Sequence, residues 1–273
     1  MEKSIKIFVS LLMVVILANS CSTVPITGRR QLSLIPESEM IAMAFSSYSD
    51  FLKENNLSAD RTNTALVQEV GRNLSTAVVK YFSDHNMSSQ LNGYQWEFNL
   101  VADDTPNAWC MPGGKVVVYT GLLPYTRDRD GLAVVISHEI AHAVARHGSE
   151  RMSQQMLAQF GSAALGEVLK SKPQQTQALF GNVFGLGAQY GVILPHSRGN
   201  ELEADRLGLI FMAMAGYDPQ SAVPFWERMA SIGGEKPPEF MSTHPSDATR
   251  IQKIQEVMPE ALSYYKRTPQ LVF

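Results

Sequence analysis

Two histidines separated by three residues form the part of this sequence best suited to chemistry. They stand in the run His138-Glu139-Ile140-Ala141-His142. On a helix, side chains four residues apart lie about 40° apart around the axis and one turn along it, so both imidazoles can reach one metal ion. Glu139 points about 100° away from His138, where its carboxylate can meet a water bound to that metal. The spacing therefore predicts a zinc site with an adjacent general base.

The residues around this motif are apolar almost all round, from Asp130 to Arg146, which predicts a buried helix. Imidazole and carboxylate groups are costly in a core unless something compensates them, and a zinc ion would do so. The alternative is a chance match, with both histidines bonded to backbone carbonyls. We expect the helix to stop at Gly148 as a C-cap, and we interpret His147 as a cation at the helix C-terminus.

A catalytic zinc site needs a third protein ligand, and a later acidic block supplies candidates. In the run from Ser197 to Arg206, Glu201 and Asp205 share one helix face, whereas Glu203 points away. Glu201 could bind zinc while Asp205 orients a histidine ligand through its other ring nitrogen. The alternatives are an exposed acidic helix face, or His196 or His244 as the third ligand.

The elements around these residues predict an α+β fold, mostly helical with a small mixed β-sheet beside the histidine helix. Short alternating or β-branched runs predict strands at 94–101, 107–111 and 115–119. Apolar residues at helical spacing predict the helices. These cover residues 37–54, 61–82, 130–146, 149–170, 175–190, 196–215, 219–231 and 245–257.

Four motifs in order resemble the zinc metallopeptidase family of HtpX and the CAAX-prenyl endopeptidases, a gluzincin family. They are the histidine motif, the Glu201–Asp205 block, Thr243-His244-Pro245 with Arg250, and the segment from Asn107 to Leu123. The exported lipoprotein branch, with LoiP and BepA, is the most similar. The resemblance implies a zincin-type metallopeptidase domain, with zinc bound by His138, His142 and Glu201.

The resemblance also implies roles for residues around the metal. Glu139 would be the general base and later the acid, and Asp205 would orient a ligand. Asn107 and Ala108 would lie on the sheet edge where a substrate strand adds. Apart from the resemblance, the apolar side chains of Trp109 and Met111 in the same segment indicate pocket walls. His244 would be an oxyanion donor or a removable ligand that blocks zinc, or else a helix-start histidine without a catalytic role, and Arg250 would brace its loop.

The N-terminal residues indicate export. Lys3 and Lys6 precede an apolar run from Ile7 to Ala18, which predicts a signal peptide over residues 1–20. Cys21 follows small residues, as in a bacterial lipoprotein box, so we expect its lipidation and an outer-membrane location at the periplasmic face. The alternatives are ordinary cleavage nearby or an uncleaved anchor. Residues 21–36 are then a tether or wrapping arm, 37–266 a single metallopeptidase domain and 267–273 a tail.

Composition narrows the partners. The 273 residues are 45% hydrophobic and 18% charged, and the formal net charge of −3 argues against nucleic acid as a partner. With Cys21 lipidated, Cys110 is left alone and is interpreted as a small buried hydrophobe. We expect unfolded or extended protein substrates from the envelope. The alternatives are a chaperone-like envelope-assembly lipoprotein that uses zinc structurally, or hydrolysis of a non-peptide ester or amide.

Overall fold

A small sheet enclosed by helices organises the protein in a computed structural model, which confirms the predicted α+β class. The structure describes residues 21–24, 26–160, 173–184, 197–231, 240, 244 and 248–265. The helices are α1 (Glu37–Glu54), α2 (Arg61–Asp84), α3 (Leu123–Thr126), α4 (Arg129–Val144), α5 (His147–Phe160), α6 (Pro173–Phe184), α7 (Arg198–Met214), α8 (Ala222–Ala230) and α9 (Ala248–Tyr265), with 3₁₀ turns at Ser88–Leu91, Thr120–Leu122 and Pro219–Ser221.

The N-terminal arm, described at residues 21–24 and 26–32, contains a short antiparallel pair of strands. Strand β1 (Cys21–Thr23) pairs with β2 (Arg30–Leu32). The hairpin is anchored to the domain because Val24, only 1% exposed, belongs to the main hydrophobic core. The arm therefore lies against the helical body.

The sheet has three strands in the order β3-β5-β4. Strand β5 (Lys115–Tyr119) lies in the centre, parallel to β3 (Glu97–Val101) and antiparallel to β4 (Ala108–Met111). Gly113 and Gly114 make the tight turn between β4 and β5 at φ angles of 84° and 86°, a region that side chains with a Cβ rarely adopt. Strand β4 is thus an edge strand within the described part of the chain.

The two faces of the sheet pack against different helices because successive side chains point to opposite sides. Ala108, Cys110 and Val116 join the core that includes α2 and α4, whereas Trp109 and Val117 join a second cluster built with α1, α5 and α6. The helix with the histidine motif therefore lies directly beneath one sheet face.

Helices α4 and α7 pack against each other and carry the residues singled out by the sequence. Asp128 caps α4 by accepting a hydrogen bond from Gly131 N at 2.8 Å, and Ser197 caps α7 at Asn200 N. Gly208 of α7 lies against the backbone of His138, which allows a close approach of the two helices. Among the described helices, none is both long and apolar enough to cross a membrane.

Two of the predicted helix boundaries near the site are wrong. Helix α4 ends at Val144, and Arg146 takes a left-handed φ of 60° that separates it from α5, which begins at His147. Gly148 consequently lies inside α5 and is not a C-cap. Helix α9 runs to Tyr265 rather than to 257, because Ala261 is buried and Glu260 pairs with Arg206 of α7. The domain limits at 20, 36 and 266 stay predictions.

Candidate metal centre

Helices α4 and α7 bring three potential metal ligands together in the core. The Nε2 atoms of His138 and His142 are 3.0 Å apart. A Glu201 carboxylate oxygen lies 3.5 Å from the first and the other oxygen lies 3.3 Å from the second. All three side chains are almost completely buried. The two histidines at positions i and i+4 of α4 and the glutamate in the first turn of α7 thus converge on one point, as the sequence predicted.

His244 adds a fourth potential ligand to this group. Its Nδ1 lies 3.2 Å from His138 Nε2 and 3.1 Å from Glu201 Oε1. One ligand atom from each of His138, His142, Glu201 and His244 lies within 4.8 Å of the others. On its other side, His244 Nε2 is 3.4 Å from Oε1 of Glu139, an oxygen without a hydrogen-bond partner in the described part of the chain. The general-base candidate therefore borders the ligand cluster.

Asp205 and Arg250 support one side of the cluster. Asp205 Oδ1 lies 3.0 Å from His138 Nδ1, one turn below Glu201 on α7. The Arg250 guanidinium donates to both Asp205 oxygens at 2.7 and 2.8 Å, and its Nη1 lies 3.1 Å from Glu201. The same group donates to the His244 carbonyl at 3.2 Å and stacks 3.5 Å from the Trp226 ring centroid. Arg250 thus connects the backbone of His244 with α7.

His147 supports the other side of the cluster, contrary to its interpretation as a cation at the end of a helix. It starts α5, is fully buried, and its Nδ1 lies 2.8 Å from His142 Nδ1. Its Nε2 lies 2.9 Å from a carboxylate oxygen of Glu203, and burial lowers its pKa, which opposes a charged imidazole. The left-handed turn at Arg146 is the physical reason, since it folds His147 back onto His142.

The hydrogen-bond partners of the imidazoles determine which ring nitrogens carry protons. Asp205 accepts from His138 Nδ1, so the His138 Nε2 lone pair faces the cluster. Glu203 accepts from His147 Nε2, which leaves His147 Nδ1 to accept from His142 Nδ1. The His142 Nε2 lone pair then also faces the cluster. Lone pairs 3.0 Å apart beside a carboxylate repel one another unless a cation lies between them, and nitrogen and carboxylate donors suit zinc.

The pKa values of the cluster point to the same need for positive charge. Burial would raise the pKa of Glu201, but His244 and His142 hold it well below its usual range. Burial would likewise lower the pKa of His138, but Asp205 and Glu201 raise it to about 9. Burial lowers the pKa of His142 well below its usual value and raises that of Glu139. The carboxylates therefore draw one positive charge, a proton or a metal ion, into this pocket.

The predicted substrate-side residues lie at the start of the edge strand. Asn107 precedes β4, and its side-chain oxygen accepts a hydrogen bond from Ala108 N at 2.9 Å. Ala108 and Cys110 face α4, whereas Trp109 lies on the opposite sheet face, edge-on to Phe51 at 5.0 Å. The edge strand thus runs beside the histidine helix, but the Trp109 side chain belongs to a core cluster.

Other residues considered from the sequence lie apart from the cluster or outside the described residues. His85 stacks on Tyr81 at the end of α2. His196 lies outside the described residues, as does the segment 1–20, for which the sequence predicts a signal peptide. Sequence reasoning missed the contributions of His147, Glu203 and Arg29, and the one available signal was a further histidine five residues after His142.

Comparison with known proteins identifies the family. Residues 72–258 match the model of Peptidase family M48. The mitochondrial metalloendopeptidase OMA1 of Schizosaccharomyces pombe is 35% identical over 87% of this chain and 66% of its own length. Human OMA1 is 31% identical over 92% of this chain and 48% of its own length. The beta-barrel assembly-enhancing protease of Escherichia coli is 33% identical over 57% of this chain and 33% of its own length.

The chain therefore spans between about one third and two thirds of the length of these relatives. The match covers the histidine motif, the Glu201 block and Arg250 together, and it confirms the resemblance drawn from the sequence. The cofactor of this family is zinc, and the buried histidine and glutamate group of this chain provides a fitting site for it. The chain belongs to peptidase family M48, a family of zinc metallopeptidases.

Proposed function

We propose that this protein is a zinc-dependent metalloendopeptidase of the bacterial cell envelope that cleaves misfolded or misassembled envelope proteins. The observation that carries the proposal is the convergence of His138, His142 and Glu201 beside the buried carboxylate of Glu139. A structural zinc site has no need of a general base next to its ligands. The relatives named as metalloendopeptidases and as a beta-barrel assembly-enhancing protease support the same activity.

The chemistry follows from the residues around the ligand cluster. Zinc, when bound, lowers the pKa of water to roughly 7 and polarises a carbonyl group. Glu139 takes the proton of the attacking water and passes it to the leaving amine. Burial raises the pKa of Glu139, which makes its carboxylate a better proton acceptor. Asp205 and Arg250 hold His138 and Glu201 in place during these steps.

The edge strand supports binding of an extended substrate. Tyr119 N donates to the Asn107 carbonyl at 3.0 Å, so residues 107 and 119 form a hydrogen-bonded pair of the β4–β5 ladder. By the antiparallel alternation, the backbone groups of Ala108 and Cys110 point away from β5. Asn107 already accepts from Ala108 N, which leaves the Ala108 carbonyl and the Cys110 backbone for an added strand. Backbone recognition of this kind suits unfolded proteins of varied sequence.

The location in the envelope rests on the N-terminal pattern and on the bacterial relatives. We propose that residues 1–20 are removed as a signal and that Cys21, at the first position of β1, carries the lipid. The arm would then join the membrane surface to the domain. Mass spectrometry of the mature N-terminus tests this, since an unmodified N-terminus or an intact residue 1 would contradict the lipid anchor.

The substitution Glu139→Gln tests the peptidase proposal. Because the amide cannot accept the proton of the attacking water, we expect cleavage of an unfolded protein to fall by about 10²- to 10⁴-fold, with zinc retained. Glu256→Gln, an exposed glutamate on α9, is the matched control and keeps full activity. Undiminished cleavage by a zinc-loaded Glu139→Gln protein would remove the basis of the proposal. Hydrolysis rates measured in parallel on a panel of small esters distinguish a peptidase from an enzyme that hydrolyses non-peptide esters.

A second candidate function is that of a chaperone-like envelope-assembly lipoprotein with a structural zinc. The specific observation in its favour is His244, which completes four protein donors around one point. Within the peptidase proposal, the same position favours His244 as a removable ligand that keeps the site closed, over a role as oxyanion donor. The four-donor arrangement alone fits either function.

The substitution His244→Ala distinguishes these alternatives. For a removable blocking ligand, we expect severalfold faster cleavage with zinc still bound by the other three residues. A fall in kcat with zinc retained would identify an oxyanion donor instead. Loss of zinc, together with no cleavage by the unsubstituted protein, would favour the structural function. Zinc content and the cleavage rate are measured on the same samples.

A further inference from the structure

The N-terminal arm reaches the metal centre through a continuous row of polar side chains. Arg29 Nε donates to Glu203 Oε2 at 2.8 Å, and the Thr27 hydroxyl donates to Glu203 Oε1. Glu203 Oε2 also lies 2.9 Å from His147 Nε2, and His147 Nδ1 lies 2.8 Å from His142 Nδ1. We call Arg29, Glu203, His147 and His142 the arm row. It joins a surface hairpin to a zinc ligand.

Exposure falls along the first three members of the arm row, from Arg29 at the surface to His147 in the core. The Arg29 side chain is 32% exposed, that of Glu203 6% and that of His147 0%. A buried carboxylate beside a buried imidazole has a single way to satisfy both groups, which is donation from His147 Nε2. His147 Nδ1 must then accept from His142. The position of Glu203 therefore decides which His142 nitrogen offers its lone pair to the metal.

Arg29 is the group that holds Glu203 in position from the arm side. Its guanidinium also pairs in a bidentate manner with Glu150 of α5, at 3.0 and 2.8 Å. It thereby connects α7, which carries Glu203, with α5, which carries His147 and Glu150. Without Arg29, two carboxylates from neighbouring helices would face each other with one neutral imidazole nearby. Their repulsion would draw Glu203 away from His147.

We propose that Arg29 is a positioning residue for the metal centre, which couples docking of the N-terminal arm to zinc binding through Glu203, His147 and His142. An arm detached from the domain would leave His142 free to rotate or to change its protonated nitrogen, and zinc would bind less tightly. Outer hydrogen-bond partners of metal ligands contribute about ten- to a hundredfold to metal affinity. The inference rests on the zinc site of the proposed function and not on its substrate.

Zinc affinity of the full-length protein, measured by competition with a chromophoric chelator, tests this coupling. For Arg29→Ala we expect about tenfold weaker zinc binding, with Arg29→Lys between it and the unsubstituted protein because lysine keeps the charge but not the paired geometry. Arg30→Ala, the exposed neighbour in β2, is the matched control and binds zinc normally. Zinc affinity of Arg29→Ala within twofold of the unsubstituted protein would overturn the proposal.

A double substitution distinguishes coupling through Glu203 from a general loosening of the arm. Glu203→Gln alone is expected to weaken zinc binding about ten- to a hundredfold, and Arg29→Ala should then add little further loss. An equal loss from Arg29→Ala in both backgrounds would contradict the proposed route. Thermal unfolding of the metal-free proteins separates stability from affinity, since a purely structural Arg29 would lower stability and leave zinc affinity unchanged.

The absorption of the cobalt-substituted protein gives a second readout that does not depend on proteolysis. Because the bands of bound cobalt report ligand geometry, Arg29→Ala should alter them while Arg30→Ala leaves them unchanged. Identical spectra for Arg29→Ala and the unsubstituted protein would contradict a role in orienting His142. If the protein proved not to be a peptidase, the zinc-affinity and cobalt measurements could still be made and interpreted. The peptidase proposal and the role of Arg29 can therefore be refuted independently.

Discussion

Each of the two histidines of the motif makes contacts through both ring nitrogens, and the two nitrogens of one ring have different partners. His138 directs Nε2 to the ligand cluster and Nδ1 to Asp205, and His142 directs Nε2 to the cluster and Nδ1 to His147. An imidazole that is held at both ring nitrogens loses its freedom to rotate when the protein folds, before the metal binds. The rotamers are therefore set by protein groups rather than by the metal, which is the condition for rapid and selective zinc binding.

Cys110 gives a prediction at the scale of one residue. The thiol is 6% exposed, and burial together with the nearby charge of Glu139 raises its pKa well above the usual value. Because the thiolate is the reactive form and its fraction falls as the pKa rises, the folded protein at pH 7–8 should react with iodoacetamide about a hundredfold more slowly at Cys110 than the unfolded protein. Mass mapping of the peptide that contains Cys110 measures the rate in both states. Equal rates would contradict the buried, protonated thiol.

At the same scale, the sequence predicts which candidate ligands come together in the cluster better than it predicts the residues that support them. His138, Glu139 and His142 lie within one helical turn, so their geometry follows from local periodicity alone. Glu201 and Asp205 also share a turn, and one of them could be assigned to the metal and the other to a histidine. His147 could not be assigned, because its direction depends on the left-handed turn at Arg146, which no local pattern predicts.

At the scale of elements, the packing of α4 on α7 sets the ligand distances. A Cβ atom at Gly208 would lie 3.0 Å from His138 N and 3.2 Å from His138 Cα, which is tighter than most Cβ contacts and would require the α4 backbone to shift by a few tenths of an ångström. Gly208→Ala should therefore push the helices apart, lower the free energy of unfolding by about 1–3 kcal/mol and weaken zinc binding. Chemical denaturation and chelator competition measure the two effects.

Gly199→Ala is the matched control on the same helix. Its nearest neighbouring atom would be Ser197 Oγ at 3.8 Å, an ordinary contact. Alanine is a better helix former than glycine, so this variant should be neutral or stabilised by up to about 1 kcal/mol. Identical zinc affinities for the two alanine variants would show that the approach of α4 and α7 does not determine the ligand distances.

The elements themselves were largely predictable, but their ends were not. Helix α1 and strand β5 begin and end where the apolar patterns predicted them, because capping and β-branched runs are local signals. Helix α9 continues eight residues beyond its predicted end, since Ala261 and Glu260 find partners on distant elements. Such contacts depend on the whole fold, and no periodic pattern of apolar residues in the sequence predicts them.

At the scale of the whole molecule, bound zinc should increase the free energy of unfolding. The metal-free centre buries the carboxylates of Glu139, Glu201 and Asp205, and Arg250 forms ion pairs with the last two. A ligand that binds only the folded state stabilises it by about 4 kcal/mol at a thousand times its Kd. Removal of zinc with a chelator should therefore lower Tm by several degrees, and added zinc should restore it.

Calorimetry or circular dichroism at increasing zinc concentration measures this effect. Calcium and magnesium serve as controls, because they prefer oxygen ligands and should not restore Tm at a site with two or three imidazoles. A Tm independent of zinc concentration would mean that the centre is equally stable without its metal. The lone-pair arrangement described for His138 and His142 argues against that result.

Trp226 gives the metal centre an optical signal of its own. Its ring lies 3.5 Å from the Arg250 guanidinium carbon and 5.4 Å from the centre of the His138 ring, and the side chain is almost fully buried. The chain has three tryptophans, and Trp109 packs in a different cluster on the far face of the sheet. The emission of the Trp226 indole depends on the charges beside it. Metal entry can therefore be followed as a change in intrinsic fluorescence, without a label or a substrate.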